Sequence, residues 1–564
     1  MWSDIAQLKA IVKHNHVVVE SILADIVKED GHAKKSTLVN QALSLIGGWS
    51  GHYSSHILEQ FFLDLAAQYP SPSPLPKYKK NTVLHVMTEA YKTGGHTRVV
   101  ERWIALDGVR RKQSLLLTEN AGQLPTLLQE VIEGADGQIY RLNDDLNPIE
   151  KGLSLRKIAA EYEYIVLHQH DHDVVPLLAF GHVEFTRPVF LFNHADCRFT
   201  MGFSIADKVL TLSAWSYSLA QSARGISNID HIPLLYDSAY EPDKIAIDIL
   251  REQLGLPVDK KIIVTAASAC KYKKIGTQSI LGIAKEIFDA IPDVLLLVIG
   301  PDSGFFTDAK RILGRYHKQF FTLGLVSPDK LYQAFCAADL VVDSMPLGGG
   351  ATMIDAMYCN KPILSLKGAV GQLDYLVNSE AYCQTPAAFI EKAVAILSSQ
   401  EEALRNIQNV QASYAKYEYA SQEQWLEKLD SIYSSVDSHA IRQFTTPKKN
   451  TISDLDALNA RHALKVNFSL KLSSLLYIGI YENSVCRYLQ ISLAQKNLYS
   501  KIISKNRSGV HRYGVPYIFE LVKKTQYWPF CKRKSIKVLG IDLITYEKRG
   551  AKRQYTVLGK IICS

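Results

Sequence analysis

The sequence predicts an α/β protein: two Rossmann-like domains facing each other across a cleft, an N-terminal helical domain before them, and a basic tail with a β-hairpin after them. Three observations carry this. From residue 82 to 365, short apolar runs alternate with helical segments, the pattern of parallel strands joined by crossover helices that cover both sheet faces. The stretch Pro70-Ser71-Pro72-Ser73-Pro74-Leu75-Pro76 cannot continue a helix and reads as a stiff linker. Lysine and arginine gather in 501–560, where 15 of them face 3 acidic residues for a local balance of +12.

Length and composition fit this architecture. At about 100 to 200 residues per domain, 564 residues suffice for three or four domains. The divisions fall at 1–69 (helical), 70–80 (linker), 81–240 and 241–440 (the two α/β domains) and 450–564 (basic region). A hydrophobic share of 47% and a charged share of 21% exclude disordered and fibrous chains. Eight scattered cysteines without a C-x-x-C pair argue against a disulfide framework or zinc finger. No apolar run reaches the roughly 18 to 20 residues of a spanning helix, and Met1-Trp2-Ser3-Asp4 opens no signal peptide, so a cytoplasmic address is expected.

In chain order, Ile5, Leu8, Ile11 and Val12 recur at helical spacing, and further helices are predicted over 17–26 and 57–67. The first α/β series has strands at 82–87, 113–118, 164–168, 188–193 and 208–212, with helices at 97–106 and 124–132. The second has strands at 261–267, 294–299, 319–323, 340–342 and 362–365, with helices at 277–289, 309–316, 328–337 and 351–359. Helices over 412–434 are expected to pack back on the sheets. In the tail, Val538-Leu539-Gly540-Ile541 recurs as Val557-Leu558-Gly559-Lys560, with Glu547-Lys548-Arg549-Gly550 between them; two strands around that charged turn are expected.

Ligands of open α/β sheets collect beyond the carboxyl ends of the strands, and the most informative loop there is Asp343-Ser344-Met345-Pro346-Leu347-Gly348-Gly349-Gly350-Ala351-Thr352. Three glycines let backbone approach a ligand closely, and the helix that follows offers free N–H groups and a positive dipole end, an anion site. A tight strand-to-helix turn is the competing reading. Thr352 adds a hydroxyl, and Asp355, one turn on, has the two oxygens that ribose hydroxyls require.

With Asp355-Ala356-Met357-Tyr358-Cys359-Asn360-Lys361-Pro362 the segment resembles the donor domain of GT-B glycosyltransferases, both bacterial surface-polysaccharide transferases and the O-GlcNAc transferase and bacterial N-glycosyltransferase group. The resemblance implies phosphate binding by Gly349, Gly350 and Thr352 and ribose binding by Asp355. It also implies a cation for the diphosphate after the first strand, where Lys271 and Lys274 stand, and a nucleotide loop at Gly300. The acidic residue that touches the donor sugar in the polysaccharide-transferase pattern would fall at Leu347 and is missing. No cofactor and no essential metal are expected, because a lysine can offset the charge that builds on the leaving nucleotide.

On the acceptor side, Thr93-Gly94-Gly95-His96-Thr97-Arg98 resembles the glycine loop that GT-B enzymes point toward the donor phosphates, which makes Gly94, Gly95, His96 and Arg98 candidate contacts; a helix cap by Thr97 is the alternative. His168-Gln169-His170-Asp171-His172-Asp173 has metal-ligand residue types, but successive side chains on extended chain point opposite ways, so acid–base work suits them better than ion binding. Asn193-His194-Ala195-Asp196 resembles a segment of bacterial surface-glycan transferases, with His194 and Asp196 expected on one side of a strand extension. The candidates for general base are, in order, His194, Asp196, Asp173 and His170.

These residues together imply a glycosyltransferase that moves a sugar from a nucleotide-diphosphate sugar to an acceptor hydroxyl. The resemblance implies surface polysaccharide or lipopolysaccharide synthesis, with a glycan or lipid-linked glycan as acceptor. Protein glycosylation and a catalytically inactive GT-B-like scaffold are the alternatives. The basic region 501–564 suits an anionic membrane surface such as the inner face of the cytoplasmic membrane; a solvated basic face competes with this, and nucleic acid is not expected, since no recognition motif accompanies the charge.

Overall fold

The computed structural model describes residues 5–46, 50–69, 74–91, 95–119, 122–233, 246–272, 279–368, 373–417, 421–436, 440–449, 451–453 and 455–456, and beyond these eight strands of the C-terminal region. Two compact units result, Trp2–Ala463 and Leu464–Ser564.

The larger unit opens with three helices, α1 (Ile5–Lys28), α2 (His32–Ile46) and α3 (His56–Ala66). The first α/β domain then runs β1 (Lys79–Met87), α4 (Gly95–Asp107), β2 (Lys112–Leu117), α5 (Thr126–Gly134), β3 (Ile139–Arg141), α6 (Pro148–Ala159), β4 (Tyr162–His168), α7 (Val175–Phe180), β5 (Val189–Phe192), β6 (Lys208–Thr211), α8 (Ala214–Arg224) and β7 (Ile229–His231). Its seven strands are parallel in the order β3-β2-β1-β4-β5-β6-β7.

The second domain runs α9 (Ile247–Leu254), β8 (Lys261–Ala266), α10 (Ile280–Ala290), β9 (Val294–Ile299), α11 (Ala309–Leu313), β10 (Phe320–Gly324), α12 (Pro328–Cys336), β11 (Leu340–Val342), α13 (Ala351–Tyr358), β12 (Ile363–Leu366), α14 (Asp374–Val377), β13 (Tyr382–Cys383), α15 (Pro386–Ser398), α16 (Gln400–Tyr417) and α17 (Gln422–Ser434). Its parallel order is β10-β9-β8-β11-β12-β13. In both sheets the order reverses beside the first strand, between β1 and β4 and between β8 and β11, which opens a crevice at each carboxyl edge.

Alternate residues of each strand serve opposite faces. In β8, Ile262, Val264 and Ala266 enter one core and Ile263 the other. The first of these cores is continuous between the two domains, joining Val83, Trp103 and Phe190 to Val264, Val341 and Trp425. Helix α17 therefore belongs to the first domain as much as to the second: Trp425 sets its ring edge-on to Trp103 at 5.6 Å, donates from Nε1 to the Pro233 carbonyl at 2.9 Å, and is followed by Lys428, which pairs with Asp230 at 2.7 Å.

Several sequence boundaries shift. Strand β1 starts at Lys79, inside the expected linker, because its N–H bonds the Glu161 carbonyl at 2.9 Å. Helix α6 was not anticipated, although Asn147 caps it, Pro148 starts it and Glu150 closes a reciprocal capping box. In the C-terminal unit, the expected hairpin is instead one part of a four-stranded antiparallel sheet, β18 (Cys531–Val538), β19 (Ile541–Arg549), β20 (Lys552–Val557) and β21 (Lys560–Cys563). A similar sheet precedes it, β14 (Lys465–Lys471), β15 (Leu476–Glu482), β16 (Cys486–Leu493) and β17 (Lys496–Lys505). Each copy of the repeat straddles two strands, and Glu547, Lys548 and Arg549 of the expected turn lie in β19; Gly540, Gly550 and Gly559 lie outside the described residues. Among the described residues, no helix is long and apolar enough to cross a membrane.

The helical domain is held to the first sheet by a carboxylate. Glu59 of α3 is 1% exposed and accepts from the backbone N–H groups of Gly202 at 2.8 Å, Phe203 at 3.1 Å and Ser204 at 2.7 Å. Burial raises its proton affinity, and these three donors oppose that. Removing the side chain strands three buried donors, so Glu59→Ala should cost about 3 kcal/mol, read as a lower urea midpoint; an unchanged midpoint would contradict this role.

Candidate active site

The donor-side loop is organised from beneath by Asp343, the residue after β11. It is 2% exposed; Oδ1 accepts from the N–H groups of Ser344 at 2.8 Å and Gly349 at 2.5 Å, and Oδ2 accepts from the Ser365 hydroxyl at 3.0 Å. Burial pushes its proton affinity up, while the Gly349 donor and the nearby Lys271 ammonium pull it down. The glycines have separate uses. A Cβ on Gly349 would meet Thr352 Oγ1 at 2.6 Å and Asp343 Oδ1 at 3.0 Å, whereas Gly350, at φ +67°, caps α13 with open space beside it. Gly349 thus spends its N–H on Asp343, and the anion donors that remain are the first-turn N–H groups of α13.

Lys271 follows β8 and donates from Nζ to the Gly348 carbonyl at 2.6 Å, which places its charge on the glycine loop. Thr352 stands in the first turn of α13, its hydroxyl 3.3 Å from the Gly349 carbonyl. Gly300 serves the fold: at φ +111° a Cβ there would lie 2.0 Å from the Ala267 carbonyl. Asp355 is not presented freely for a ribose. It pairs with Arg102 of α4, so the two domains are bridged there. Arg102, which sequence reasoning did not single out, is 5% exposed and keeps Nε and Nη1 buried without partners. Lys274 and Gly94 lie outside the described residues.

On the acceptor side, the six residues from His168, the last of β4, to Asp173 go to six different places. His168 bonds two other histidines, Gln169 donates to the Met201 carbonyl at 2.8 Å, and His170 stacks on Tyr91 with ring centres 5.6 Å apart. Asp171 pairs with Arg198 at 3.0 Å, and His172 stacks on Phe199. Asp173 accepts from the hydroxyls of Thr88 and Thr118, both at 2.7 Å, and from the Val175 N–H at 2.9 Å. Its oxygens are therefore occupied tying the loop to the ends of β1 and β2. Asp196 is likewise withdrawn from base duty. The chain turns after β5 instead of extending, and the Asp196 carboxylate accepts from Asn193 at 3.1 Å and the Ser216 hydroxyl at 2.7 Å, with burial raising its proton affinity.

His194 lies among other imidazoles at the carboxyl edge, and His170 also reaches this group, its ring 5.5 Å from that of His96. His194 is half-buried, edge-on to His96 at 4.2 Å between ring centres, and bonded through Nε2 to His168 Nδ1 at 2.9 Å. His96, at the start of α4, bonds the His168 carbonyl through Nε2 at 2.7 Å and keeps Nδ1 buried without a partner. Arg98 turns to Glu101 of its own helix at 3.3 Å, and Gly95 is exposed at the helix start. Burial raises the proton affinity of the Cys197 thiol in the loop after β5, and the Lys271 ammonium is among the charges that oppose this, so the acceptor and donor loops lie within electrostatic reach of each other. Among the described residues, the group of three able to share an ion is His16, Glu20 and His52 in the helical domain, apart from these loops.

The sequence matches no protein-family model and no curated protein. Its structure is similar to a glycosyltransferase from Rickettsia africae, at TM-score 0.50 and 14% identity over 64% of this chain and 98% of that one. It is also similar to the Thermobaculum terrenum O-GlcNAc transferase, at TM-score 0.47 and 13% identity over 77% of this chain and 84% of that one. A third likeness is to Anabaena HepE solved with UDP and glucose, at TM-score 0.46 and 16% identity over 63% of this chain and all of that one. The first of these likenesses, with the two parallel sheets, shows the GT-B fold.

Burial holds His85 and His96 at about 4, below the roughly 6.5 of a free imidazole. Below pH 6.5 the unfolded chain takes up protons that these native rings refuse, so stability falls toward pH 4 by about 1.4 kcal/mol per pH unit per ring, with no loss above that window. Urea midpoints from pH 7 to 4.5 should fall less steeply in His96→Phe than in wild type; equal slopes would contradict a neutral, buried His96.

Proposed function

We propose that the chain is a glycosyltransferase that moves a sugar from a nucleotide-diphosphate sugar to an acceptor hydroxyl. The observation that supports this reading is the placement of two chemistries at the carboxyl edges of the two sheets: an anion-binding helix start with Lys271 on the donor side, and an imidazole cluster that includes His194 on the acceptor side. The diphosphate would lie at the first turn of α13, with Thr352 adding a hydroxyl and Lys271 offsetting the charge that builds on the leaving group. His194 would take the proton of the acceptor hydroxyl. No metal is required by this scheme, since the cation is supplied by the chain.

Asp355 reaches a ribose only if it exchanges Arg102 for the ligand, so donor binding would loosen the bridge between the domains and couple binding to cleft motion. The acceptor we infer is a glycan of the bacterial surface, carried on a lipid. The net charge of +12 over 501–560 supports this placement, because each lysine or arginine near an anionic bilayer contributes about 1 kcal/mol. Full-length protein should sediment with vesicles containing phosphatidylglycerol and stay behind with phosphatidylcholine alone; equal behaviour would remove the membrane from the account.

For the donor site, one of UDP, GDP, CDP or CMP should raise the melting temperature without added metal. Lys271→Ala and Thr352→Ala should each weaken that nucleotide by about 10- to 150-fold, the loss of one hydrogen bond to a charged group. No response to any of the four, or unchanged affinity in both variants, would remove the donor assignment.

A further inference from the structure

Behind His194 lies an unbroken line of hydrogen bonds. His194 Nε2 meets His168 Nδ1 at 2.9 Å, His168 Nε2 meets His85 Nδ1 at 3.0 Å, and His85 Nε2 meets Gln113 Oε1 at 2.8 Å. The line ends in a buried anion, because Gln113 Nε2 donates to Asp107 Oδ2 at 2.7 Å and to the Arg111 carbonyl at 3.2 Å. Asp107 is fully buried and bonded through Oδ1 to Arg111 at 2.6 Å, and Arg111 also pairs with Asp430 of α17. His85, His168 and Gln113 are buried as well.

A neutral imidazole has one donor and one acceptor nitrogen, so the orientation of Gln113 decides every ring in turn. Its amide nitrogen faces two acceptors, Asp107 and the Arg111 carbonyl, and rotating the amide would set its oxygen against both and leave them unsatisfied. Oε1 therefore accepts from His85, which puts the His85 proton on Nε2 and leaves Nδ1 to accept. His168 must then donate from Nε2 and accept at Nδ1, and His194 must donate from Nε2. We propose that Gln113, His85 and His168 are positioning residues that lock His194 in the tautomer whose Nδ1 carries the free electron pair. This rests on the reading of His194 as the base, and deepens it by saying which nitrogen acts.

In the transfer step, the acceptor O–H bond breaks and a bond from His194 Nδ1 to the proton forms. The electron pair left on the acceptor oxygen makes the new glycosidic bond as the bond from sugar to diphosphate breaks. The resulting imidazolium keeps its Nε2–H on His168, and the positive charge can spread over three rings but no further, because an amide oxygen does not take the proton. Asp107 and Gln113 sit where their dipole and charge favour that cation. The arrangement has the logic of the aspartate that holds a catalytic histidine in its tautomer in serine proteases, with an amide and two further imidazoles interposed.

The test is a two-bond proton–nitrogen correlation spectrum of the full-length protein labelled with ¹⁵N-histidine, near pH 7.5, with the His194 signals identified by their loss in His194→Asn. The expected spectrum shows His194 Nδ1 at the position of an unprotonated ring nitrogen and Nε2 at that of a protonated one. The reverse pattern, or an average of the two tautomers, would overturn the proposal. In Gln113→Leu, and in His85→Leu, which leaves Gln113 on Asp107, the His194 signals should move toward the average. With them kcat should fall at least about 10-fold while the donor KM stays put; a His194 tautomer still locked in both variants would overturn the proposal. If the wild-type spectrum is locked as expected but no sugar is transferred, the enzymatic reading fails and the relay stands.

Discussion

Buried carboxylates placed where backbone leaves a sheet are the constraint on which the rest depends. Loops at the carboxyl ends of parallel strands carry backbone N–H groups that no strand can satisfy, and burying them unpaired costs about 1 to 3 kcal/mol apiece. Asp343 answers this under the glycine loop, Asp173 at the ends of β1, β2 and β4, and Glu59 in the loop before β6. Asp107 does the same for a side-chain amide, and from it the line of imidazoles takes its direction. Each anion fixes one loop and leaves other groups of that loop free, which is how a rigid fold can present ligand-ready donors and an electron pair at the same edge.

The second constraint is that the two α/β domains are not merely opposed. A common core runs through Trp103 and Trp425, α17 crosses back to the first sheet, and Arg102 bridges to Asp355. Arg102 keeps two buried donors without partners, so its pairing with one carboxylate leaves it undersatisfied. A group with that much unspent hydrogen bonding at the interface is suited to exchange partners when a ligand enters, and it lies on the same helix that carries His96 at its start.

Much of the fold was legible because it rests on local rules. Alternation of apolar runs and helical segments located strands such as β8, β9 and β11 and the helix starts that follow them, and the triple glycine before α13 marked the place where backbone had to pass closely. The edges were harder. Strands β3 and β7 are the two edge strands of their sheet, and their sequences Ile139-Tyr140-Arg141 and Ile229-Asp230-His231 carry no apolar run; the Asn147-Pro148 pair, which with Glu150 starts α6, was not singled out. In the tail, apolar character was legible, but the number of strands was not: within each sheet every strand pairs with the next in sequence, and several are too polar and basic to show an apolar run.

For the site, residue type and loop position singled out His194, Lys271 and Thr352, which the structure places at the carboxyl edges of the sheets. The same reasoning overvalued Asp173, Asp196 and Asp355, because a carboxylate in a loop looks alike in sequence whether it faces a ligand or holds a neighbouring strand. It passed over Arg102, Gln113, His85 and Asp107, since a polar residue within a strand or a helix gives no local sign of the partner that the fold brings to it. Gln113 and His85 sit within apolar strands, and that alone was a signal: a buried polar side chain has to find partners, and here two such side chains found each other.

The most direct measurement of the central claim is release of nucleoside diphosphate from UDP-, GDP- and CDP-activated sugars by the full-length protein, wild type against His194→Asn. One donor should be consumed by the wild type, and His194→Asn should lower its turnover by about 10²-fold or more while still binding the nucleotide. Consumption of none of them, or equal turnover by the two proteins, would contradict the claim.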